Sequence, residues 1–162
     1  MPSNPLEIAI IDSPLGLLEI KGDAKGIQVI SFQDERAPIT SAIPNSLQNC
    51  VTQLQEYFSG NRHDFSVLLN PQGTEFQRKV WQILQDIPPG KTRTYLDQAK
   101  IYGDVKAIRA IASANGKNPI SILIPCHRVI GSDGSLTGYA GGLWRKKWLL
   151  EHENPSKQQR LF

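Results

Sequence analysis

Several things are scarce in this sequence, and each scarcity excludes something. No apolar run among the 162 residues approaches ~18 residues, so no membrane-spanning helix is expected. The only cysteines, Cys50 and Cys126, are too few for a disulfide scaffold and fit a reducing compartment. The histidines stand apart at 63, 127 and 152, without the spacing of a zinc-ligand set. Met1-Pro-Ser-Asn-Pro5 holds neither a basic nor an apolar stretch, so no signal peptide is read. A soluble, cytoplasmic protein is expected, or a nuclear one if the source is eukaryotic, with no membrane partner.

Hydrophobic residues make up 40% of the chain and charged residues 20%, a balance that supports a packed core. The net charge of +3 hides a division. Residues 1–72 carry four Lys/Arg against eight Asp/Glu, a net −4, whereas residues 73–162 carry fourteen against seven, a net +7. An acidic first part and a basic second part suit a polyanionic partner for the second, although solvated surface charge accounts for the split equally well.

The chain reads as two domains, 1–72 and 73–162. Leu6–Ile11, Leu17–Lys21 and Ile27–Phe32 are short β-branched runs separated by Gly, Pro and Asp, the pattern of a β-meander. Leu47, Cys50, Val51, Leu54, Tyr57 and Phe58 recur at helical spacing before Gly60, which places Cys50 on a core stripe. Phe65–Leu69 is a candidate further strand, and Asn70-Pro-Gln-Gly73 the linker.

Beyond the linker the pattern turns helical. Thr74 and Gln77 form a capping box ahead of the stripe Phe76, Val80, Ile83, Leu84 and Ile87, with Pro88-Pro-Gly90 as the stop. A short helix from Thr94 to about Ile101, a turn at Gly103, and a helix Val105–Asn115 capped by Asp104 make a helix-turn-helix pattern, with Arg109 mid-helix among small residues. Ser121–Ile124 reads as a short strand halted by Pro125, Val129–Leu136 as a turn, and Thr137–Gly142 as a Gly-rich loop. A last helix, Leu143–Glu153, is expected to part-bury Trp144, Trp148 and Leu149, ahead of a loose polar tail. The fold class is α/β (α+β): a small sheet-and-helix domain, then a helical one.

Ile124-Pro-Cys-His-Arg-Val129 carries the chemistry. A thiol is a nucleophile only as thiolate and needs cationic or hydrogen-bonding neighbours to become one. His127 and Arg128 follow Cys126 directly, but in an extended chain adjacent side chains point opposite ways. On these residues alone, a buried structural cysteine and a reactive one remain equally open.

Pro125-Cys-His-Arg-Val129 resembles the active-site signature of the O6-alkylguanine-DNA alkyltransferases. The resemblance continues through Phe76-Gln-Arg-Lys-Val-Trp81, Pro89-Gly-Lys-Thr-Arg-Thr-Tyr95, Ala107-Ile-Arg-Ala110, Gly116-Lys-Asn-Pro-Ile120, Gly138-Tyr-Ala-Gly-Gly142 and Trp148-Leu-Leu-Glu-His-Glu153. It is dense and in order over residues 74–153. Residues 1–70 fit more loosely, as a ribonuclease-H-like domain, and the second part is then winged-helix-like.

The resemblance implies a DNA-repair protein that transfers the alkyl group of O6-alkylguanine, and of O4-alkylthymine, to Cys126 once per molecule. It implies that Glu153 orients His127, that His127 acts through water on the thiol, that Tyr95 donates to the departing base, and that Asn118 braces the Cys126 loop. Val129, Tyr139, Ala140 and Ser121 are implied at the lesion pocket. Ser121 stands where some animal relatives carry Pro, which implies room for larger alkyl groups. Arg109, Arg128, Thr94, Ala110, Ser113 and Asn115 are implied at the DNA, with Arg109 taking the place of a nucleotide flipped out through the minor groove. Gln98 stands where many relatives carry Leu, with a local packing change and no catalytic effect expected. The zinc-binding Cys/His set of some relatives is absent, so no metal and no cofactor are expected. The partner is double-stranded DNA bearing the lesion, met by a monomer. A lesion-binding protein without transfer would lack the acceptor Cys126, and a transcriptional regulator would have no use for a Cys-His-Arg loop.

Overall fold

A computed structural model describes residues 5–154; residues 1–4 and the polar tail after Asn154 lie outside them. The chain divides into two compact units, Met1–Gln72 and Gly73–Phe162.

In the first unit, β1 (Glu7–Ile11), β2 (Leu17–Asp23) and β3 (Gly26–Gln33) form an antiparallel sheet in the order β1-β2-β3. Burial alternates along β2, where Leu18 and Ile20 are fully covered while Leu17, Glu19 and Lys21 are not. That alternation is the period of a strand with one face in the core. Against the sheet lies α1 (Asn45–Phe58), which buries Leu47, Cys50, Val51, Leu54 and Tyr57. Burial pushes the Cys50 thiol up to about 12, so it stays a core thiol.

Phe65–Leu69, expected as a strand, makes only a single parallel bridge from Leu69 to Ile27. The Ile27 N–H donates to the Leu68 carbonyl at 2.9 Å and the Asn70 N–H to the Ile27 carbonyl at 2.7 Å. Gly26 meets this segment so closely that a Cβ there would lie 2.9 Å from the Leu68 carbonyl oxygen, and its φ of +132° suits glycine.

The second unit opens with α2 (Glu75–Leu84). Thr74 accepts from the Gln77 N–H and Gln77 returns the bond, the capping box legible in the sequence. The helix ends four residues before Pro88, whose ring disfavours helical backbone at Ile87 and bars any continuation. β4 (Arg93–Thr94) leads into α3 (Tyr95–Tyr102), capped by Thr94 and Asp97 and closed by Gly103 in the left-handed region at φ 105°. The expected single helix from Val105 divides into a 3₁₀ turn, Val105–Ala107, and α4 (Ile108–Gly116).

Ser121–Ile124 is a turn rather than the expected strand. After it come a 3₁₀ turn at Cys126–Arg128 and β5 (Val129–Ile130), which pairs in parallel with β4. The closing α5 (Leu143–Glu153) buries Leu149 but leaves Trp144 exposed at 56%. Arg145, Lys146 and Glu153 occupy the covered face where Trp144 was expected. No helix among the described residues is long and apolar enough to cross a membrane.

Candidate active site

The cysteine is presented by a strained turn. Ile122 has φ 75°, and it is the only non-glycine residue with positive φ among those described. A buried β-branched residue in that region costs about 1–3 kcal/mol, so surrounding packing must hold it. Pro125 then turns the chain over, letting the Cys126 N–H donate to the Ile124 carbonyl at 2.8 Å. This is an inverse γ-turn. Asn118 ties the loop down from within. Its Nδ2 donates to the Ile124 carbonyl at 2.7 Å and lies 3.3 Å from Cys126 Sγ, while its Oδ1 accepts from the Ile120 N–H at 2.9 Å.

Behind the cysteine lies a buried charge cluster. His127 Nε2 and Glu153 Oε2 are 2.8 Å apart, with the imidazole fully covered. A carboxylate only accepts, so Nε2 carries the hydrogen and Nδ1 is left with its lone pair. Nδ1 has no protein partner among the described residues. Arg128 closes on the same carboxylate in a fork: Nε donates to Oε1 at 2.8 Å and Nη2 to Oε2 at 2.9 Å. Its Nη1 donates to the Ile87 carbonyl at 2.6 Å. Arg128, expected at the DNA, is therefore buried and holds the loop to α5 and to the segment after α2. Glu153 is correspondingly not a surface charge at a helix end.

The electrostatics follow from this packing. Burial alone would raise the Glu153 carboxyl, but His127 and the Arg128 guanidinium hold it well below the usual carboxylate range. Burial keeps the imidazole of His127 below its ordinary value against the pull of Glu153, so the ring is neutral near pH 7. Burial also pushes the Cys126 thiol up, offset in part by the Asn118 bond and the Lys146 charge. The resting sulfur is a thiol, and a neutral base stands next to it in sequence.

Lys146 was not expected. Its side chain is fully buried on α5, and Nζ donates to the carbonyls of Val129 and Thr137, both at 2.6 Å, with Gly138 at 3.4 Å. Burial lowers its pKa to about 8, with Cys126 acting in the opposite sense. The ammonium thus staples β5 to the Gly-rich loop. The signal was present in the sequence, since Lys146 lies three residues before Leu149 and seven before Glu153, on one helical face.

A cavity of about 260 Å³ opens over the sulfur. Cys126 and Tyr95 line it together with Asn115 and Gly116 of α4 and with Gly138, Tyr139 and Ala140 of the loop. Burial, chiefly, raises the Tyr139 phenol well above its ordinary value, with the Ser121 side chain acting in the opposite sense. Val129 is buried rather than at the cavity wall, and its carbonyl is taken by Lys146. Tyr95 Oη lies 3.2 Å from Thr137 Oγ1 and 3.4 Å from the Thr137 carbonyl oxygen.

On α4, Arg109, Ala110, Ala112 and Ser113 are exposed on a narrow surface. Arg109 is the second residue of the helix, not mid-helix as expected, because the 3₁₀ turn replaces the first turn. Asn115, expected at the DNA, turns its side chain inward. Its amide and that of Gln98 exchange two hydrogen bonds, at 2.9 and 2.8 Å, in a buried pair. Gln98 therefore does more than alter packing, since it gives the buried Asn115 amide one donor and one acceptor. The Thr94 hydroxyl accepts from the Asp97 N–H at 3.0 Å as the cap of α3.

The fold and site define a class: a small sheet-and-helix unit joined to a basic helical unit whose cysteine faces a cavity, backed by a carboxylate–imidazole pair. Residues 75–155 match the family described as 6-O-methylguanine DNA methyltransferase, DNA binding domain, and residues 7–71 its ribonuclease-like domain. A methylated-DNA–protein-cysteine methyltransferase of Methanosarcina acetivorans is 45% identical over 152 residues, covering 90% of this chain and 96% of that protein. The crystal structure of the Mycobacterium tuberculosis O6-methylguanine methyltransferase aligns with a TM-score of 0.83 at 41% identity, covering 93% of each chain. A Mycobacterium tuberculosis OGT crystallised in complex with DNA aligns with a TM-score of 0.81 at 42% identity, over 90% of this chain and 91% of that one. The chain belongs to the 6-O-methylguanine DNA methyltransferase family.

Proposed function

We propose that this protein repairs DNA by moving the alkyl group of O6-alkylguanine, and of O4-alkylthymine, onto Cys126 in a single turnover. The observation that carries the reading is the neutral, fully buried His127 held by Glu153 immediately after a cavity-facing thiol. His127 Nδ1 takes the thiol proton through a water. The thiolate attacks the alkyl carbon in line, so an S–C bond forms as the C–O bond breaks and the electron pair leaves with guanine. Tyr95 gives its proton to the departing base and regains one from solvent, as His127 releases its own to solvent. The net proton passes from thiol to guanine, and the resulting thioether is not reversed.

Duplex DNA is the partner, approached by a monomer through the minor groove. The exposed small residues Ala110, Ala112 and Ser113 support close approach of α4, and Arg109 beside them supports extrusion of the lesion by filling the vacated stack. Minor-groove readout distinguishes bases poorly, which suits a protein that must act wherever a lesion falls.

The test is mass spectrometry after incubation with an O6-methylguanine oligonucleotide. One added methyl group on the Cys126 peptide is expected. Lesion-dependent binding with an unmodified Cys126 would reduce the protein to a damage binder.

A further inference from the structure

The loop residue Thr137 joins two parts of the site that the mechanism above leaves separate. Its carbonyl oxygen is held at 2.6 Å by the buried Lys146 ammonium, and its hydroxyl lies 3.2 Å from Tyr95 Oη, 42 residues earlier in the chain. The phenol is 3.4 Å from that same carbonyl, long beside the ~2.7–2.8 Å usual for O–H···O bonds. At that length the carbonyl holds the phenol proton only weakly, and the proton can turn to a base in the cavity. Threonine is stiff about χ1, so holding its backbone through Lys146 also narrows where its hydroxyl points.

We propose that Thr137 is a positioning residue for alkyl transfer, holding the Tyr95 phenol at the cavity and donating to Oη as the phenol protonates the departing guanine. The inference rests on the transfer reading above and deepens it. The proton on Tyr95 Oη goes to guanine, negative charge develops on Oη, and the Thr137 O–H bond to it strengthens in step. Hydrogen bonds in such a chain polarise one another, so the Thr137 bond is worth more at the moment of transfer than in the resting protein.

Single-turnover transfer from an O6-methylguanine duplex is measured for the wild-type chain, T137V, T137S, Y95F and the T137V/Y95F double variant. In parallel, the rate at which iodoacetamide alkylates Cys126 is followed by peptide mass spectrometry, because that reaction needs no proton donated to a base. T137V is expected to slow transfer about three- to tenfold, the size of one hydrogen bond, with T137S recovering most of the loss. Iodoacetamide rates are expected to stay within about twofold of wild type, and T137V to add nothing on the Y95F background. Transfer by T137V at the wild-type rate overturns the proposal. So does an equal slowing of iodoacetamide, which would mean that Thr137 supports the thiol, and so do multiplicative losses in the double variant. A wild-type chain that reacts with iodoacetamide yet transfers nothing from DNA refutes the function itself, a distinct outcome.

Discussion

The two units bury different things. In the first, Gln53 is the only buried polar or charged side chain among the described residues, and the core is aliphatic with Tyr57 and Cys50. In the second, Gln98, Asn115, His127, Arg128, Arg145, Lys146 and Glu153 are all buried. Interring charge is costly unless every group is paired, and an apolar core of the same volume is often as stable or more so. The first unit is therefore organised for cohesion and the second for holding a reactive thiol in a fixed electrostatic setting. The cysteines make the same contrast, since Cys50 sits on an apolar stripe with a pKa near 12 while Cys126 faces a cavity beside an imidazole.

The largest expected effect exploits the two thiols. C126S should abolish transfer, because a serine hydroxyl is far harder to ionise near neutral pH, while duplex binding persists. C50S should transfer at the wild-type rate per folded molecule. Residual repair by C126S in a single-turnover assay would remove Cys126 from its role.

Next is the buried cluster. E153Q leaves Arg128 buried without a carboxylate and should destabilise the protein by about 3–5 kcal/mol in denaturant titrations. The sign with pH is fixed by the direction of the shift. The folded Glu153 carboxyl is held below its ordinary value of 4.5, so its stabilisation is complete above that pH and is lost as pH falls towards the folded value. Wild type should therefore lose more stability than E153Q on acidification below pH 4.5, and parallel losses would contradict the pairing.

A smaller effect separates DNA from chemistry. R109A should slow repair of duplex substrate by about tenfold or more, while attack on free O6-benzylguanine, which requires no flipping, stays near wild type. Equal losses on both would assign Arg109 to the fold of α4.

The smallest effect concerns the spent protein. A methyl group on Cys126 crowds the Asn118 amide 3.3 Å from the sulfur and weakens that hydrogen bond, at a cost of ~1–3 kcal/mol. At roughly 2–4 °C per kcal/mol, the methylated form should melt several degrees below the unreacted one in the absence of DNA. An adduct as stable as the free protein would show that the cavity absorbs it.

Much of the fold was legible because its causes are local. The strands announce themselves by alternation and α2 by the box Thr74–Gln77, while the Thr94–Asp97 box of α3 emerged only in the structure. The site was legible only where the resemblance reached. Arg128 looked like a DNA contact because its partners, Glu153 and the Ile87 carbonyl, lie 25 and 41 residues away. Nothing in the order of residues brings them together. Lys146 escaped despite sharing a helical face with Leu149 and Glu153, since lysine is almost never fully buried unless its charge is satisfied, and here backbone carbonyls do the satisfying. The Ser121–Ile124 turn reads as a strand by composition, and only tertiary packing forces Ile122 into its unusual backbone conformation.

The last helix works as a ruler. Lys146 fastens the pocket loop and Glu153 fastens the imidazole, and the seven residues separating them span about two turns, roughly 10 Å of rise. Both grips rely on that interval. Lys147 is exposed and Glu151 half-buried on other sides of α5, and substitutions there leave the interval unchanged. One inserted residue would swing Glu153 about 100° around the axis and release the imidazole. Natural variation in this segment should accordingly accept many replacements of side chains and almost no change in their number.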